Sequence, residues 1–440
     1  MNSSTQSPGQ QHLLLAEREA ARVPGLPPDA EPRQISHVGV IGAGTMGAGI
    51  AFSCLNAGLE VSLVEQNAEA LERGRTHVRS LLDAGVQKGR LSTAERDQRL
   101  AALEPTLALD ALDSADLIIE AVFESMAVKR ELLGKLDRIA RDGAVLATNT
   151  STLDVDEIAA ATRRPQDVVG LHFFSPAHVM RLIEIVRGRV TSASVLATAL
   201  DFARRLHKVG VVVGNAFGFV GNRMLYAYGR ENQLLMLEGA APDDVDRALQ
   251  GFGMAMGPNA VGDLAGLDIG YKARRELRNR PADPRWFRVS DALVEQGRLG
   301  QKTGRGFYRY ETGSRTPIPD PEVAALIRNE AARLNVAQRQ ITADEIVERC
   351  TVALINEGAY ILGEGIAQRS SDIDLIWALG YGFPRDRGGP MFYADSLGLT
   401  AVRDAIQRLA GRLGPEHWQV APVLEQLAHE GGTFGAWRRA

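Results

Sequence analysis

HVGVIGAGTMGAGIAFSCLNAGLEVSLVEQN, residues 37–67, decides how the rest of the chain is read. A β-branched run from Val38 to Ile41 meets a glycine turn, and a small-residue helical pattern carries on to Leu55. A second apolar run, Val61 to Val64, ends in Glu65. A strand before GxGxxG, a helix after it and an acid closing the next strand form the context in which that pattern marks a dinucleotide site. Gly42 permits the tight turn, Gly44 lets the backbone approach a pyrophosphate, and Gly47 allows the helix to pack closely on the strand. The free N–H groups at the helix start then face the phosphates. Glu65 is placed to accept from the adenosine ribose hydroxyls and to repel a 2′-phosphate, which favours NAD over NADP. The competing reading is a glycine turn with no ligand, and the full context speaks against it.

Apolar runs continue the parallel sheet through ADLIIEAVF (115–123), GAVLATNTS (143–151), DVVGLHFF (167–174) and RLIEIV (181–186), with helical stretches such as Met126 to Ala140 between them. In an open parallel sheet, ligands sit beyond the carboxyl ends of the strands. Glu124, Asn149 to Ser151, and His172 fall at such ends. Glu184 lies on the next strand, which can run beside the His172 strand and bring its carboxylate to the imidazole. His178 lies in the loop beyond Pro176 and reads as an ordinary loop residue. A histidine backed by a carboxylate can act as a general base. With NAD alongside, the matching reaction is oxidation of an alcohol: the base takes the hydroxyl proton while hydride leaves for the nicotinamide. His–Glu pairs also serve as purely structural hydrogen bonds, and spacing alone leaves both readings open.

Composition bounds the answer from outside. A chain of 440 residues with 45% hydrophobic content has room for two or three domains, each with its own core. The net charge of −4 comes from 50 basic and 54 acidic residues, well mixed, which argues against an electrostatic nucleic-acid binder. Two cysteines, Cys54 and Cys350, give no disulfide framework and no Cys-based metal site, so no metal is expected. The first 35 residues lack the apolar core of a secretory signal, and no later run reaches membrane-spanning length. The C-terminal WRRA is not a peroxisomal address of the SKL type. The expectation is a soluble cytoplasmic protein with neither nucleic acid nor membrane as partner.

Six further-spread blocks, taken together, resemble one family. They are GAGTMGAGI (42–50), NTSTLDVDEIA (149–159), HFFSPAHVMRLIEIV (172–186), GVVVGNAFGFVGNRM (210–224), MGPNAVGDLAGLD (256–268) and GQKTGRGFYRY (300–310). They look like the L-3-hydroxyacyl-CoA dehydrogenases, above all the dehydrogenase half of the bacterial and peroxisomal multifunctional fatty-acid oxidation enzymes. The likeness runs in order from Ser36 onward. It implies NAD-dependent, reversible oxidation of L-3-hydroxyacyl-CoA to 3-oxoacyl-CoA, as in fatty-acid β-oxidation. It implies His172 as catalytic base with Glu184 as its partner, and Ser151 and Asn222 as hydrogen-bonding contacts to the substrate. It also implies that Gly42, Gly44, Met46, Gly47, Glu65, Glu124, Lys129, Ser151 and Lys302 line the NAD site. Ser175 stands where many single-function relatives carry asparagine, so an asparagine contact to the cofactor is not carried over. In the multifunctional enzymes a hydratase/isomerase domain comes first. Here the leader LLLAEREAARVPGLP (13–27) resembles the end of the helix that joins the two halves, and it is too short to form a hydratase fold. The expectation is a stand-alone dehydrogenase that cooperates with a separate enoyl-CoA hydratase.

The second half of the chain repeats itself. Residues 222–258 resemble residues 348–390: Glu231 matches Glu357, Glu238-Gly239 matches Glu364-Gly365, and Asp246 matches Asp374. Each copy ends in Gly-Pro, then Asp263 with Gly266-Leu267, or Asp395 with Gly398-Leu399. The fold expected is a Rossmann-type α/β NAD-binding domain followed by a duplicated all-α domain. The boundaries expected are a leader over 1–34 with a short helix in 11–30 broken at Pro24, the NAD-binding domain over 35–213, helical copy one over 214–312, a linker over 313–340, and copy two over 341–440. Glu348 stands where copy one has Asn222, so copy two reads as structural, packing on copy one where single-function relatives use a second subunit. The chain is therefore expected to be a monomer or a weak dimer. The basic tract Arg73, Arg75, Arg79, Lys88 and Arg90 reads as a solvated helix face, with contact to coenzyme A phosphates as the alternative. Cys54 reads as buried packing. Two rival functions remain: a β-hydroxyacid dehydrogenase acting on a free acid, which would use a lysine base, and a non-enzymatic relative that keeps the fold. Intact His172, Glu184, Ser151 and Asn222 speak against the second.

Overall fold

The computed structural model describes residues 6–275, 277 and 281–439. The chain divides into two compact units. An α/β unit holds residues 14–220 and 365–368, and a helical unit holds the residues before 14, residues 221–364 and those from 369 on.

Among the described residues of the α/β unit, eight strands form one sheet: β1 (His37–Ile41), β2 (Glu60–Val64), β3 (Leu103–Thr106), β4 (Leu117–Glu120), β5 (Val145–Thr148), β6 (Val168–Phe173), β7 (Leu182–Arg187) and β8 (Val209–Gly214). Their order is β3-β2-β1-β4-β5-β6-β7-β8, so the chain reverses direction across the sheet between β1 and β4. All neighbours are parallel except one: β7 runs antiparallel to β6. This corrects the expectation of an unbroken parallel sheet. Residues 174–181 alone join the two strands, whereas a parallel return needs a crossover of about a dozen residues or more. The reversal makes His172 and Glu184 direct register partners.

Alternation along the strands feeds two cores. Val38 and Val40, Leu117 and Ile119, and Val145 and Ala147 face one core, beside Ile50 and Leu55 of the helix Thr45–Asn56 and Phe202 of the helix Ala193–Arg205. Ile41, Ile118 and Leu146 face the other, beside Leu133 and Leu136 of the helix Met126–Ile139. Covered on both faces, such strands read as continuous apolar runs rather than alternating ones, which is why they were visible in sequence. Cys54 lies fully inside the first core, and burial pushes its thiol up to about 12, so it is inert packing. The β8 edge is covered: Gly214 N–H donates to Ile366 O at 2.7 Å, and Val213 bridges Ala367.

The helical unit displays the duplication in atomic detail. Asp246 accepts from the N–H groups of Asn259 and Ala260 at 2.9 Å, which open the helix Pro258–Ala265. Its counterpart Asp374 accepts from Met391 N–H at 2.7 Å at the start of the helix Pro390–Leu397. A Cβ on Gly257 would lie 2.2 Å from Asp246, and one on Gly389 would lie 2.3 Å from Asp374, which explains the glycine before each proline. Asp263 and Asp395 each collect two backbone N–H groups from a later loop, Phe307 and Tyr308 in one copy, Phe434 and Gly435 in the other.

The helices Gly221–Leu237 and Ala343–Glu364 pack on each other through reciprocal ion pairs. Arg223 reaches Glu357 at 2.6 Å and Glu364, while Arg349 reaches Glu231 at 3.0 Å and Glu238 at 2.9 Å. The segment 313–340 is more than a linker, because it contains the helix Pro321–Arg333, which buries Val323, Leu326, Ile327 and Ala331. The leader helix is Pro8–Ala20, earlier than expected and ended well before Pro24. Its His12 hydrogen-bonds Asp374 at 2.9 Å and stacks on Phe392.

Candidate active site

At the carboxyl end of β1, Gly42 has φ +97°, a conformation that suits glycine, and a Cβ there would lie 2.6 Å from Ala121 O. A Cβ on Gly47 would lie 1.8 Å from Gly42 O, so only glycine lets the helix start this close. A Cβ on Gly44 would meet no described atom within 4 Å, which leaves the backbone open to a ligand. Gly44 is also the N-cap of the helix Thr45–Asn56 and supplies no capping side chain, so the first N–H groups remain for an anion. Glu65 Oε2 accepts from Ala43 N–H at 3.0 Å and Oε1 from Gln66 N–H at 2.7 Å, holding the acid at the glycine turn. Met46 is half-buried and packs on the core behind the turn. This cradle fits the diphosphate and ribose of a dinucleotide. Arg73 and Arg75 pair along their own helix with Glu69 at 3.9 Å and Glu72 at 2.9 Å, as a solvated face does.

Beyond β4 and β5 lies a charged network that sequence reading found only in part. Lys129 is fully buried, with Nζ 2.8 and 2.9 Å from the two oxygens of Glu120 and 3.3 Å from Glu124. It is enclosed with Glu120 and Glu124 and does not line an open surface. Glu124 Oε1 gathers donors from the next strand end: Thr150 Oγ1 at 2.6 Å, and Ser151 N–H at 2.8 Å with its Oγ at 3.2 Å. Burial pushes the Glu124 carboxyl up, but Lys129 and these donors bring it below its ordinary value. Glu120, at the end of β4, was missed; burial raises its carboxyl against the pull of Lys129. It reads in sequence as the last letter of an apolar strand, LIIE, and the only signal was a carboxylate where the alternation of core residues left it no solvent. Asn149 Oδ1 accepts from Phe173 N–H at 2.9 Å, tying the end of β5 to the strand of His172.

His172 Nδ1 donates to Glu184 Oε2 at 2.7 Å. The carboxylate is wholly buried, and its Oε1 accepts from Val220 N–H at 3.2 Å. The imidazole is 7% exposed and sits between Phe174 and Phe219, with ring centroids 4.6 and 5.8 Å away. With Nδ1 committed to the carboxylate, Nε2 is the nitrogen that can take a proton. His178 sits elsewhere, edge-on to Phe52 at 5.8 Å and to His77 at 6.4 Å, and burial lowers its pKa, helped by His77 and Lys208.

Two expected site residues belong to the helical unit. Asn222 is the second residue of the helix Gly221–Leu237, and its Oδ1 accepts from Tyr381 Oη at 2.9 Å. Lys302 pairs with Asp268. Among the described residues one trio of ligand-type groups lies together, Asp283, Glu416 and His417. Arg285 already holds Asp283 from two nitrogens, at 2.9 and 2.8 Å.

A glycine-turn cradle, an acid held against it, and NAD-type sheet topology define an NAD-dependent oxidoreductase. Residues 37–216 match the pattern of the 3-hydroxyacyl-CoA dehydrogenase NAD binding domain, and residues 218–310 and 346–435 each match that of its C-terminal domain. The chain belongs to the 3-hydroxyacyl-CoA dehydrogenase family. It is 42% identical to the peroxisomal bifunctional enzyme of Danio rerio, over 99% of this chain and 63% of that protein. The dehydrogenase part of multifunctional enzyme 1 from C. elegans is 31% identical with a TM-score of 0.67, covering 96% of this chain and 99% of that one. The 3-hydroxybutyryl-CoA dehydrogenase of Escherichia coli is 26% identical with a TM-score of 0.77, covering 91% and 99%.

Two expectations are corrected by these relatives. The stand-alone dehydrogenase is overturned, because proteins 40–42% identical over nearly all of this chain are bifunctional enzymes, of which it spans less than two thirds. The cytoplasmic assignment finds no support, since the same relatives are peroxisomal by name. Among the described residues, no helix is long and apolar enough to cross a membrane.

Proposed function

We propose that this chain oxidises L-3-hydroxyacyl-CoA thioesters to 3-oxoacyl-CoA, reversibly, in fatty-acid β-oxidation. The observation that carries the reading is the buried His172–Glu184 pair, 2.7 Å apart, at the carboxyl end of β6 in a unit built to hold NAD. NAD supplies the hydride acceptor. His172 Nε2 takes the proton from the substrate hydroxyl, and the Glu184 carboxylate stabilises the imidazolium that results. Ser151, fixed by Glu124, and Asn222 are the proposed hydrogen-bonding contacts to the substrate oxygen, the second on family likeness. Phe174 and Phe219 hold the imidazole in a dry setting, which strengthens the pull of Glu184 on it. We also propose that an enoyl-CoA hydratase supplies the substrate and that the chain is monomeric or weakly dimeric.

NADH formation with CoA thioesters of several chain lengths, set beside the matching free 3-hydroxy acids, tests the reading. Oxidation of thioesters alone is expected. Equal rates with the free acids would instead favour a β-hydroxyacid dehydrogenase, and no turnover of either would favour a binding role.

A further inference from the structure

The network beyond β4 and β5 holds two carboxylates and one ammonium. Both oxygens of Glu120 accept from Lys129 Nζ, at 2.8 and 2.9 Å, and Oε2 also accepts from Val122 N–H at 3.3 Å. Glu124 Oε1 accepts from Ser151 N–H at 2.8 Å, and its Oε2 lies 3.3 Å from Lys129 Nζ. Burial raises the Glu120 carboxyl. An ammonium and a backbone N–H can only donate, however, so they favour the carboxylate over the acid. With all three groups ionised, one negative charge is left over. Glu120 and Lys129 are fully buried, whereas 30% of the Glu124 side chain is exposed, so the surplus faces outward through Glu124. Arg130, next on the same helix, pairs with Glu157 at 3.5 Å.

We propose that this surplus charge makes Glu120 and Glu124 selectivity residues for the oxidation state of the cofactor, tilting the site towards NAD⁺ and away from NADH. The sheet order β1-β4-β5-β6 sets the path. The glycine turn after β1 takes the diphosphate, and His172 on β6 takes the substrate proton. The hydride acceptor therefore belongs between them, over the carboxyl ends of β4 and β5. The nicotinamide ring is cationic in NAD⁺ and neutral in NADH. A fixed negative charge beside it stabilises the first and leaves the second nearly untouched. The proposal rests on the reading of His172 as the base.

Calorimetric titration of the full chain with NAD⁺ and with NADH, which needs no turnover, tests it on wild type, Glu120→Gln, Glu124→Gln and Glu124→Asp. Each glutamine variant cancels the surplus charge. Each should raise the ratio Kd(NAD⁺)/Kd(NADH) about tenfold, the effect of one unit charge across roughly 12 Å at an effective dielectric of about 20. Glu124→Asp keeps the charge, so its ratio should stay at the wild-type value even if both affinities fall. A lost hydrogen bond weakens both cofactors alike and leaves the ratio where it was. An unchanged ratio in Glu124→Gln, an equal rise in Glu124→Asp, or a folded Glu120→Gln that fails to match Glu124→Gln overturns the proposal. If Glu120→Gln does not fold, the two Glu124 variants decide it. Turnover of His172→Ala is read separately. An active His172→Ala beside the expected ratios sinks the base reading alone, and an inactive one beside unmoved ratios sinks the charge proposal alone.

Discussion

In the proposed reaction, the proton-taking nitrogen of His172 is selected by a neighbour rather than by its own chemistry. Glu184 binds Nδ1, and two aromatic rings shut water from the imidazole. A positioned general base is worth about 10²- to 10⁴-fold in rate. His172→Ala is therefore expected to lose activity on that scale while still binding NAD, because the glycine turn stands apart from β6. Glu184→Gln keeps the shape and removes the charge that stabilises the imidazolium, so turnover should fall with little change in KM for NAD. His178→Ala should keep most activity. Stopped-flow NADH formation on the three variants decides it, and a His178 variant worse than the His172 variant would refute the assignment. His172 and Glu184 could be singled out in sequence because each is a lone polar residue in an apolar strand. Glu120 was of the same kind, yet Lys129, the residue that neutralises it, comes from a helix nine positions on. Nothing local announces such a meeting.

Elements were read well where apolar runs were long and poorly where connection length decided geometry. β1, β2, β4 and β5 follow from β-branched runs between helices. The antiparallel β7 depended on counting residues 174–181 as too few for a crossover. The helix Pro321–Arg333 was hidden by the polar, proline-containing stretch before it, although Pro321 is a favourable first helical residue behind the Asp320 cap. The Asp263 loop contact supports a prediction at this scale. Burial raises its carboxyl from 3.8 to about 6, against the donors Phe307, Tyr308 and Tyr310. The folded chain thus holds that proton more tightly than the unfolded chain. Asp263 favours folding fully below pH 3.8, and this contribution is lost as pH rises through about 6. The melting-temperature gap between wild type and Asp263→Asn should therefore move in favour of wild type as pH falls from 7 to 5. A gap independent of pH across that window would show that Asp263 keeps an ordinary pKa.

On the scale of the molecule, the helical unit is built as a dimer is, from two like halves with reciprocal contacts. Arg223 of copy one meets Glu357 and Glu364 of copy two, and the matching Arg349 of copy two meets Glu231 and Glu238 of copy one. An isologous subunit interface has the same rule, residue i to j and j to i. Covalent linkage has let the halves diverge. Arg349 and Glu231 are wholly buried, whereas Arg223 and Glu357 keep 21% and 23% of their side chains exposed. Truncating one member of a buried pair strands the other charge and costs about 3–5 kcal/mol. A partly wet pair has water to fall back on and costs much less. Arg349→Met should thus lower the urea midpoint well below that of Arg223→Met, at unchanged slope. Adding Glu231→Leu to Arg349→Met removes a carboxylate that Arg230 alone then holds, at 2.9 Å, and should recover part of the loss, because well-packed apolar residues can replace a buried pair at little cost. Equal, small effects of the two arginine variants would mean that the halves are held by apolar packing alone and that the reciprocal charges set only their register.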